Sequence, residues 1–343
     1  TLGLRSRRAG SEVWGLGYHR AVPRHIQGED LPDIARGCSV LGAGGGGEAY
    51  TATLMAIGAI EDNGPIELVG YDELPPDAMV MSCGFLGAPT VTIEKLSSGD
   101  EGLYLREEIE RLWGKPVAAL MCAEIGGSNG MVPLTWAARM GLPVLDADGM
   151  GRAFPEVQMV TMELAGIPVA PAVVVDERGH RAVFHEVYGE WSERLERAVA
   201  IACGGIAASA EYTMTVAQAR TATVPGTMTL AGQIGRAIRD AADDPVASVI
   251  TATGAARLLD GKIVDVANRI EGGFEWNCWH LDFGGEQPSP KHEKSRHGNN
   301  KIWLIPNNLL TLDTFDNVSS PDGSNPQWRI WHDRTYRRIN QFD

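Results

Sequence analysis

The sequence predicts an α/β fold with a mainly parallel sheet in its N-terminal half. Between residues 30 and 170, short apolar runs such as AMVMSC, PVAALMC and PVLDAD alternate with longer amphipathic segments. That alternation is the pattern of parallel strands covered by helices on both faces. The chain has 343 residues, 44% of them hydrophobic and 22% charged. These are ordinary globular proportions in a chain long enough for two domains.

The elements come in order. DLPDIARGCS reads as a short helix running into the glycine stretch LGAGGGGEAY. AYTATLMAIGAIEDNG has helical spacing through Leu54, Ile57 and Ile60 and stops at Asn63-Gly64. Strands are expected at Ile66–Val69 and at Met79–Cys83, the second broken by Gly84 and Gly87. LYLREEIERLWG places Leu105, Ile109 and Leu112 on one helical face, with Gly114 as its stop. PVAALMCAE is a strand ending in Glu124, VPLTWAARM a helix, and PVLDAD a strand ending in Asp148.

From Val169 the pattern changes to a hairpin turning at Asp176–Gly179, then the helices WSERLERAVAIACGG and GTMTLAGQIGRAIRDAADD. Beyond Gly285 lie a polar loop, the strand-like KIWLIPNNLLTL and a turn-rich, aromatic end. The expected division is therefore a 1–29 extension, a 30–170 α/β domain, a 171–285 domain and a 286–343 tail.

The net charge is −14, and residues 29–285 carry 36 acidic against 17 basic residues. Such a body repels nucleic acid and anionic membranes. No apolar run reaches the roughly 18 residues of a membrane span. The Arg-rich first ten residues lack the apolar stretch of a signal peptide and read as a frayed terminus. Five scattered cysteines without a C-x-x-C pair fit a reducing, cytoplasmic setting.

Ligands of open α/β sheets bind outside the carboxyl ends of the strands. Glu124 and Asn129 come just after one such end, while Asp146, Asp148, Arg152 and Glu156 belong to another. Clustered carboxylates push one another's pKa values apart, which suits acid–base chemistry, and Arg152 suits a substrate carboxylate. For any one Asp or Asn beside glycine, a turn or cap role is the commoner reading. Glu94 reads as an exposed partner of Lys95 or as a site residue.

Gly42, Gly44 and Gly47 satisfy G-x-G-x-x-G, but a dinucleotide turn needs a strand before it. Here the lead-in is helix-like, so NAD is not expected. The run is better read as a helix-to-helix elbow whose amides, at Gly44, Gly45, Gly46 and Gly47, face the strand ends and bind a small anionic group. The histidines lack H-E-x-x-H spacing. A divalent metal held by histidines and carboxylates of separate segments stays an open alternative.

Several of these stretches together resemble a known family. LGAGGGGEAY, GFLGAPTVTIEKL, AEIGGSNGMVPLTWAARMGLPVLDADGMGRAFPEVQM, TMELAGIP and MTVAQARTATVPGTMTLAGQIGRAI are similar to the S-methyl thiohydantoin desulfurase family, which occurs beside hydantoinase/oxoprolinase-type proteins. The resemblance runs from about Asp30 to Phe274, and the residues after Phe274 depart from it. It implies an α/β N-terminal domain, a β-rich C-terminal domain, and hydrolysis at an imidazolone-type ring with release of a thiol. The matching positions are Gly44–Gly47, Glu94, Glu124, Asn129, Asp146, Asp148, Arg152 and Glu156.

The expected function is a hydrolase of a small cyclic amide or an S-methyl thiohydantoin-type ring. Asp148 or Glu124 activates water as general base, and Asp146 or Glu156 protonates the leaving group. Glycine amides stabilise the developing charge. The competing expectation is a non-catalytic subunit of a hydantoinase/oxoprolinase-type enzyme. A homo-oligomer is left open.

Overall fold

A computed structural model describes residues 25–42, 45–88, 91–241 and 243–255, and the backbone of strands at 262–271, 274–282, 301–305 and 309–313. The chain begins with strand β1 (His25–Ile26), helix α1 (Leu31–Gly42) and helix α2 (Ala49–Asn63). Next are strands β2 (Ile66–Val69) and β3 (Met79–Gly87), then helices α3 (Val91–Glu94) and α4 (Glu101–Trp113). Strand β4 (Val117–Cys122), helix α5 (Gly127–Met140), strand β5 (Val144–Asp148) and helix α6 (Thr161–Leu164) continue the chain. The hairpin β6 (Ala172–Val175) and β7 (Arg181–Phe184) leads to α7 (Gly189–Ala202) and β8 (Ile206–Thr215). After these come α8 (Val216–Ala222), β9 (Val224–Pro225), α9 (Thr227–Arg239) and α10 (Pro245–Thr253). Strands β10 (Lys262–Glu271), β11 (Phe274–Asp282), β12 (Lys301–Ile305) and β13 (Leu309–Asp313) end the described chain.

The first sheet has the order β1-β2-β5-β4-β3-β8-β6-β7, with β9 added against the end of β5. Its pairs β2/β5, β5/β4 and β4/β3 are parallel. β1/β2, β3/β8, β8/β6, β6/β7 and β5/β9 are antiparallel. The sheet is therefore mixed, not mainly parallel as expected. The cause is β8, a strand that hydropathy conceals. Its sequence IAASAEYTMT is dominated by small residues and interrupted by Glu211, yet it pairs along nearly the whole of β3. β10 to β13 form a separate four-stranded antiparallel sheet.

Alternation along β3 builds the two layers. Met81 and Cys83 enter one apolar cluster with α1, α2, α4 and α5, whereas Val80 enters a second with Met162, Tyr212 and Ala219. α5 is buried along nearly its whole length, from Gly127 to Ala138. It starts earlier than expected. The sequence places its start at VPLTWAARM, whereas in the structure the first turn is built by the glycines at 126 and 127. In α2 the buried stripe is Ala49, Ala52, Ala56, Ala59 and Ile60, while Leu54 is exposed. Small residues bring α2 close to α5, so the large apolar residue was misleading.

β3 continues through Gly84 to Gly87 because β8 pairs with it to that point. The hairpin turns where expected: Asp176 accepts hydrogen bonds from the Arg178 amide at 3.0 Å and the His180 amide at 2.8 Å. α1 and α9 cross closely, since a Cβ on Gly37 would lie 1.8 Å from the Ala231 carbonyl oxygen. Among the described residues no helix is long and apolar enough to cross a membrane.

Candidate active site

A cleft opens where β3 and β4 end, between the sheet, α7 and the loop 153–157. Its lining includes Gly46, Gly47, Ser82, Glu124, Asn129, Glu156, Arg197 and Glu211. The chain leaves β4, passes Glu124 and turns into α5. Glu124 is 5% exposed, and each of its oxygens accepts one hydrogen bond. Asn129 Nδ2 donates to Oε1 at 2.7 Å and the Phe154 amide donates to Oε2 at 2.7 Å. Burial raises its pKa to about 8, although these hydrogen bonds and the charge of Arg152 favour the ionised form.

Asn129 is itself fixed by the backbone of β3. The Phe85 amide donates to its Oδ1 at 2.8 Å, and its Nδ2 donates to the Phe85 carbonyl at 3.0 Å. A Cβ on Gly84 would lie 3.4 Å from the Asn129 carboxamide, so a bare strand position helps accommodate it. One side chain thus ties the end of β3 to the carboxyl group of Glu124.

The glycine run joins α1 to α2, as expected, but it presents carbonyls where amides were anticipated. The Ser128 amide donates to Gly47 O and the Asn129 amide to Gly46 O, both at 3.1 Å. The Ser128 hydroxyl also donates to Gly46 O at 2.7 Å. These acceptors satisfy the N-terminal turn of α5, whose N–H groups have no partner within the helix. Gly46 has φ 70°, and a Cβ there would lie 2.1 Å from the Gly126 oxygen. Gly45 is buried and donates to Gly42 O at 3.0 Å. Gly44 lies outside the described residues.

The carboxylates of β5 serve other purposes. Asp148 is fully enclosed and accepts from the Ile125 amide at 2.9 Å and the Gly151 amide at 2.8 Å. Burial raises its pKa to about 7. Asp146 accepts from the amides of Met228 and Thr229 at 3.0 and 3.1 Å and from the Thr229 hydroxyl. It holds the first turn of α9. Neither lines the cleft. Arg152 is half-buried, donates to the Ala153 carbonyl at 3.1 Å and lies within electrostatic reach of Glu124. Glu94 is exposed at the end of α3, outside the cleft lining. Lys95 pairs instead with Glu177 at 2.7 Å.

Four further groups come from beyond residue 187. Arg197 donates from Nε to Glu193 Oε1 at 2.5 Å and to the Pro155 carbonyl at 3.1 Å. Glu193 Oε2 accepts from the Val157 amide at 2.9 Å, so this ion pair clamps the cleft loop to α7. Glu196 and Glu211 are buried side by side, and burial raises both pKa values, that of Glu196 furthest. Packed together out of water, the two carboxyl groups favour a form in which at least one keeps its proton. In the sequence, SERLER looks like a solvated helix face with an i,i+4 ion pair. The one available signal was a lone glutamate in the middle of an otherwise uncharged strand-length run.

Two family models match the chain. One is the S-Me-THD-like N-terminal domain, over residues 29–186, and the other the S-Me-THD-like C-terminal domain, over residues 187–316. The chain belongs to the S-methyl thiohydantoin desulfurase-like family. Both regions of this S-Me-THD-like chain supply the cleft: Ser82, Glu124 and Asn129 come from the first, Arg197 and Glu211 from the second. A crystal structure of a protein from Chromobacterium violaceum shares the fold at 21% identity and TM-score 0.64, covering 82% of this chain and 76% of that one. No curated protein matches. Family membership suggests hydrolase-type chemistry on a thiohydantoin-like ring. Among the described residues, no group of three His, Cys, Asp or Glu side chains is placed to hold a metal ion.

Proposed function

We propose that the protein hydrolyses a small five-membered ring of the S-methyl thiohydantoin or cyclic-amide type, with Glu124 as its acid–base group. The observation that carries this reading is the placement of Glu124. It is a buried carboxyl group with a pKa of about 8, fixed by Asn129 and the Phe154 amide, in the wall of a cleft at the strand ends. A base whose pKa lies near the working pH combines a usable ionised fraction with strong proton affinity.

Ionised Glu124 takes a proton from water as the water oxygen bonds to the ring carbon between the two nitrogens. The tetrahedral intermediate then collapses. The hydroxyl hydrogen passes to the ring nitrogen of the former carbon–nitrogen double bond, the same carboxyl group returns its proton to sulfur, the carbon–sulfur bond breaks, and methanethiol leaves a ring carbonyl behind. In a cyclic amide the carbon–nitrogen bond breaks instead and nitrogen receives the proton. Glu156, also raised in pKa by burial, faces the same cleft and would donate a proton toward the ring nitrogen on which negative charge develops. Arg152 beside Glu124 favours its ionised form and would attract a substrate carboxylate. Assay of the purified chain against S-methyl thiohydantoin, hydantoin and 5-oxoproline tests the reading. Turnover per folded molecule lost in Glu124→Gln supports it, and turnover retained by that variant overturns it.

A second reading is an accessory subunit for a hydantoinase/oxoprolinase-type partner. The exposed row Tyr188, Trp191 and Leu195, at helical spacing along α7 and its lead-in, favours a protein contact there. Turnover that appears only on mixing with such a partner would select this reading.

A further inference from the structure

Ser82 in β3 and Glu211 in β8 are register partners across an antiparallel ladder. Residues so opposed project from the same face of the sheet, close enough for their side chains to act on one ligand. Both line the cleft, and both are enclosed, Ser82 at 0% and Glu211 at 4% exposure. Yet Ser82 Oγ has no hydrogen-bond partner among the described residues, and Glu211 Oε1 has none apart from the carboxyl group of Glu196 beside it. Folded proteins seldom leave a buried hydroxyl unmatched, and one opposite a carboxyl group on a cleft wall marks where a ligand's polar groups belong.

The surroundings narrow the chemistry. Arg197 offsets the charge of Glu193, while the Glu196 and Glu211 carboxyl groups next to Ser82 suit a neutral ligand group better than an anionic one. Glu211 lines the cleft and offers a carboxyl oxygen as an acceptor. Ser82 can donate its hydroxyl hydrogen. An acceptor beside a donor complements a group that offers an N–H next to a carbonyl.

We propose that Ser82 and Glu211 recognise the amide edge of the substrate ring, Ser82 donating to a ring carbonyl and Glu211 accepting from the adjacent ring N–H. The substrate class is thereby restricted to rings that keep an unsubstituted N–H beside a carbonyl. Placement in the wall of the cleft makes these two residues determinants of specificity, separate from the proton transfer at Glu124. The inference rests on the hydrolase reading above and deepens it.

Calorimetric titration with hydantoin, 1-methylhydantoin and 3-methylhydantoin tests it without requiring turnover. Wild type should bind hydantoin, and one methyl isomer should bind at least tenfold more weakly. Ser82→Ala should weaken hydantoin at least fivefold with no fall in melting temperature, since it removes an unmatched hydroxyl. In Glu211→Gln the penalty for N-methylation should shrink below threefold, a change that a purely structural role would not produce. Hydantoin binding in which both methyl isomers match the parent, or in which Ser82→Ala and Glu211→Gln bind as wild type does, overturns the proposal and leaves the hydrolase reading standing. Wild type that binds no hydantoin at millimolar concentration overturns both.

Discussion

β4 and β5 are neighbouring parallel strands that both deliver carboxylates to the same edge of the sheet, and the two ends are put to different use. After β4, Glu124 reaches the cleft, held by one side-chain amide and one backbone amide. At the end of β5, Asp148 is sealed under the turns at 125 and 151, and Asp146 is occupied by the start of α9. Residue type and proximity to a strand end are the same in both cases. What separates them is whether the next stretch of backbone folds over the carboxylate or turns away from it.

Glu124→Gln has the largest expected effect. Loss of a general acid–base group lowers rates by about 100- to 10,000-fold, so kcat/KM should fall in that range. With Glu124 acting as base, wild-type kcat/KM should rise with pH up to about 8 and level off above it. Stability should move the other way. The folded-state pKa lies above the usual value of 4.5, so the folded protein holds this proton more tightly than the unfolded chain. Stability from this group is full at low pH and lost as pH rises through about 8. Each tenfold difference in proton affinity between the folded and unfolded chain is worth about 1.4 kcal/mol. Melting curves from pH 5 to 9 should therefore decline less in Glu124→Gln than in wild type. Equal decline would remove Glu124 from its special position in the comparison.

Asp148→Asn probes the other strand end. Asparagine keeps one acceptor oxygen and turns an NH2 group toward backbone N–H donors, leaving a buried donor unmatched at a cost of about 1–3 kcal/mol. The melting temperature should fall by several degrees, while turnover per folded molecule stays within about tenfold of wild type. Abolished turnover with unchanged melting would make β5 a catalytic strand and reverse the contrast with β4.

Much of this contrast was hidden in the sequence for physical reasons. The strands leading to Glu124 and Asp148, the hairpin turn at Asp176 and the helix stop at Gly114 were legible from local hydropathy and turn chemistry, whereas β3 runs past its expected end to Gly87. Glu124, Asn129 and Glu156 were legible as cleft candidates because strand ends converge. Arg197 and Glu211 were not. They reach the cleft only because β8 inserts beside β3 and α7 packs across the sheet, contacts between residues more than a hundred positions apart. The glycine run was legible as an elbow, but which of its backbone groups point inward depends on φ at Gly46 and Gly47.

Gly46→Ala tests that elbow. An alanine Cβ would meet the Gly126 oxygen at 2.1 Å in a left-handed backbone conformation, so the loop must shift away from α5. A destabilisation of about 1–3 kcal/mol is expected from strain and lost capping. Because Asn129 lies in the capped turn and holds Glu124, KM or kcat should worsen beyond the loss of folded protein. Intact melting and kinetics would show that the elbow does not position the cleft.

Asp146→Ala has the smallest expected effect and sharpens the contrast furthest. Its carboxylate receives the amides of Met228 and Thr229, as an N-cap side chain would, although it comes from a strand far away in sequence. Removing a cap costs about 0.5–2 kcal/mol, and the anion also faces the positive end of the α9 dipole. Chemical denaturation should show a loss in that range, with kcat unchanged once corrected for folded fraction. Asp146→Asn retains one acceptor and should recover part of the loss, whereas a catalytic carboxylate would not be rescued by its amide. The graded series Ala, Asn, Asp in stability, with flat kcat, therefore marks Asp146 as a tether between β5 and α9. A kcat that falls together in both variants would instead bring it into the chemistry.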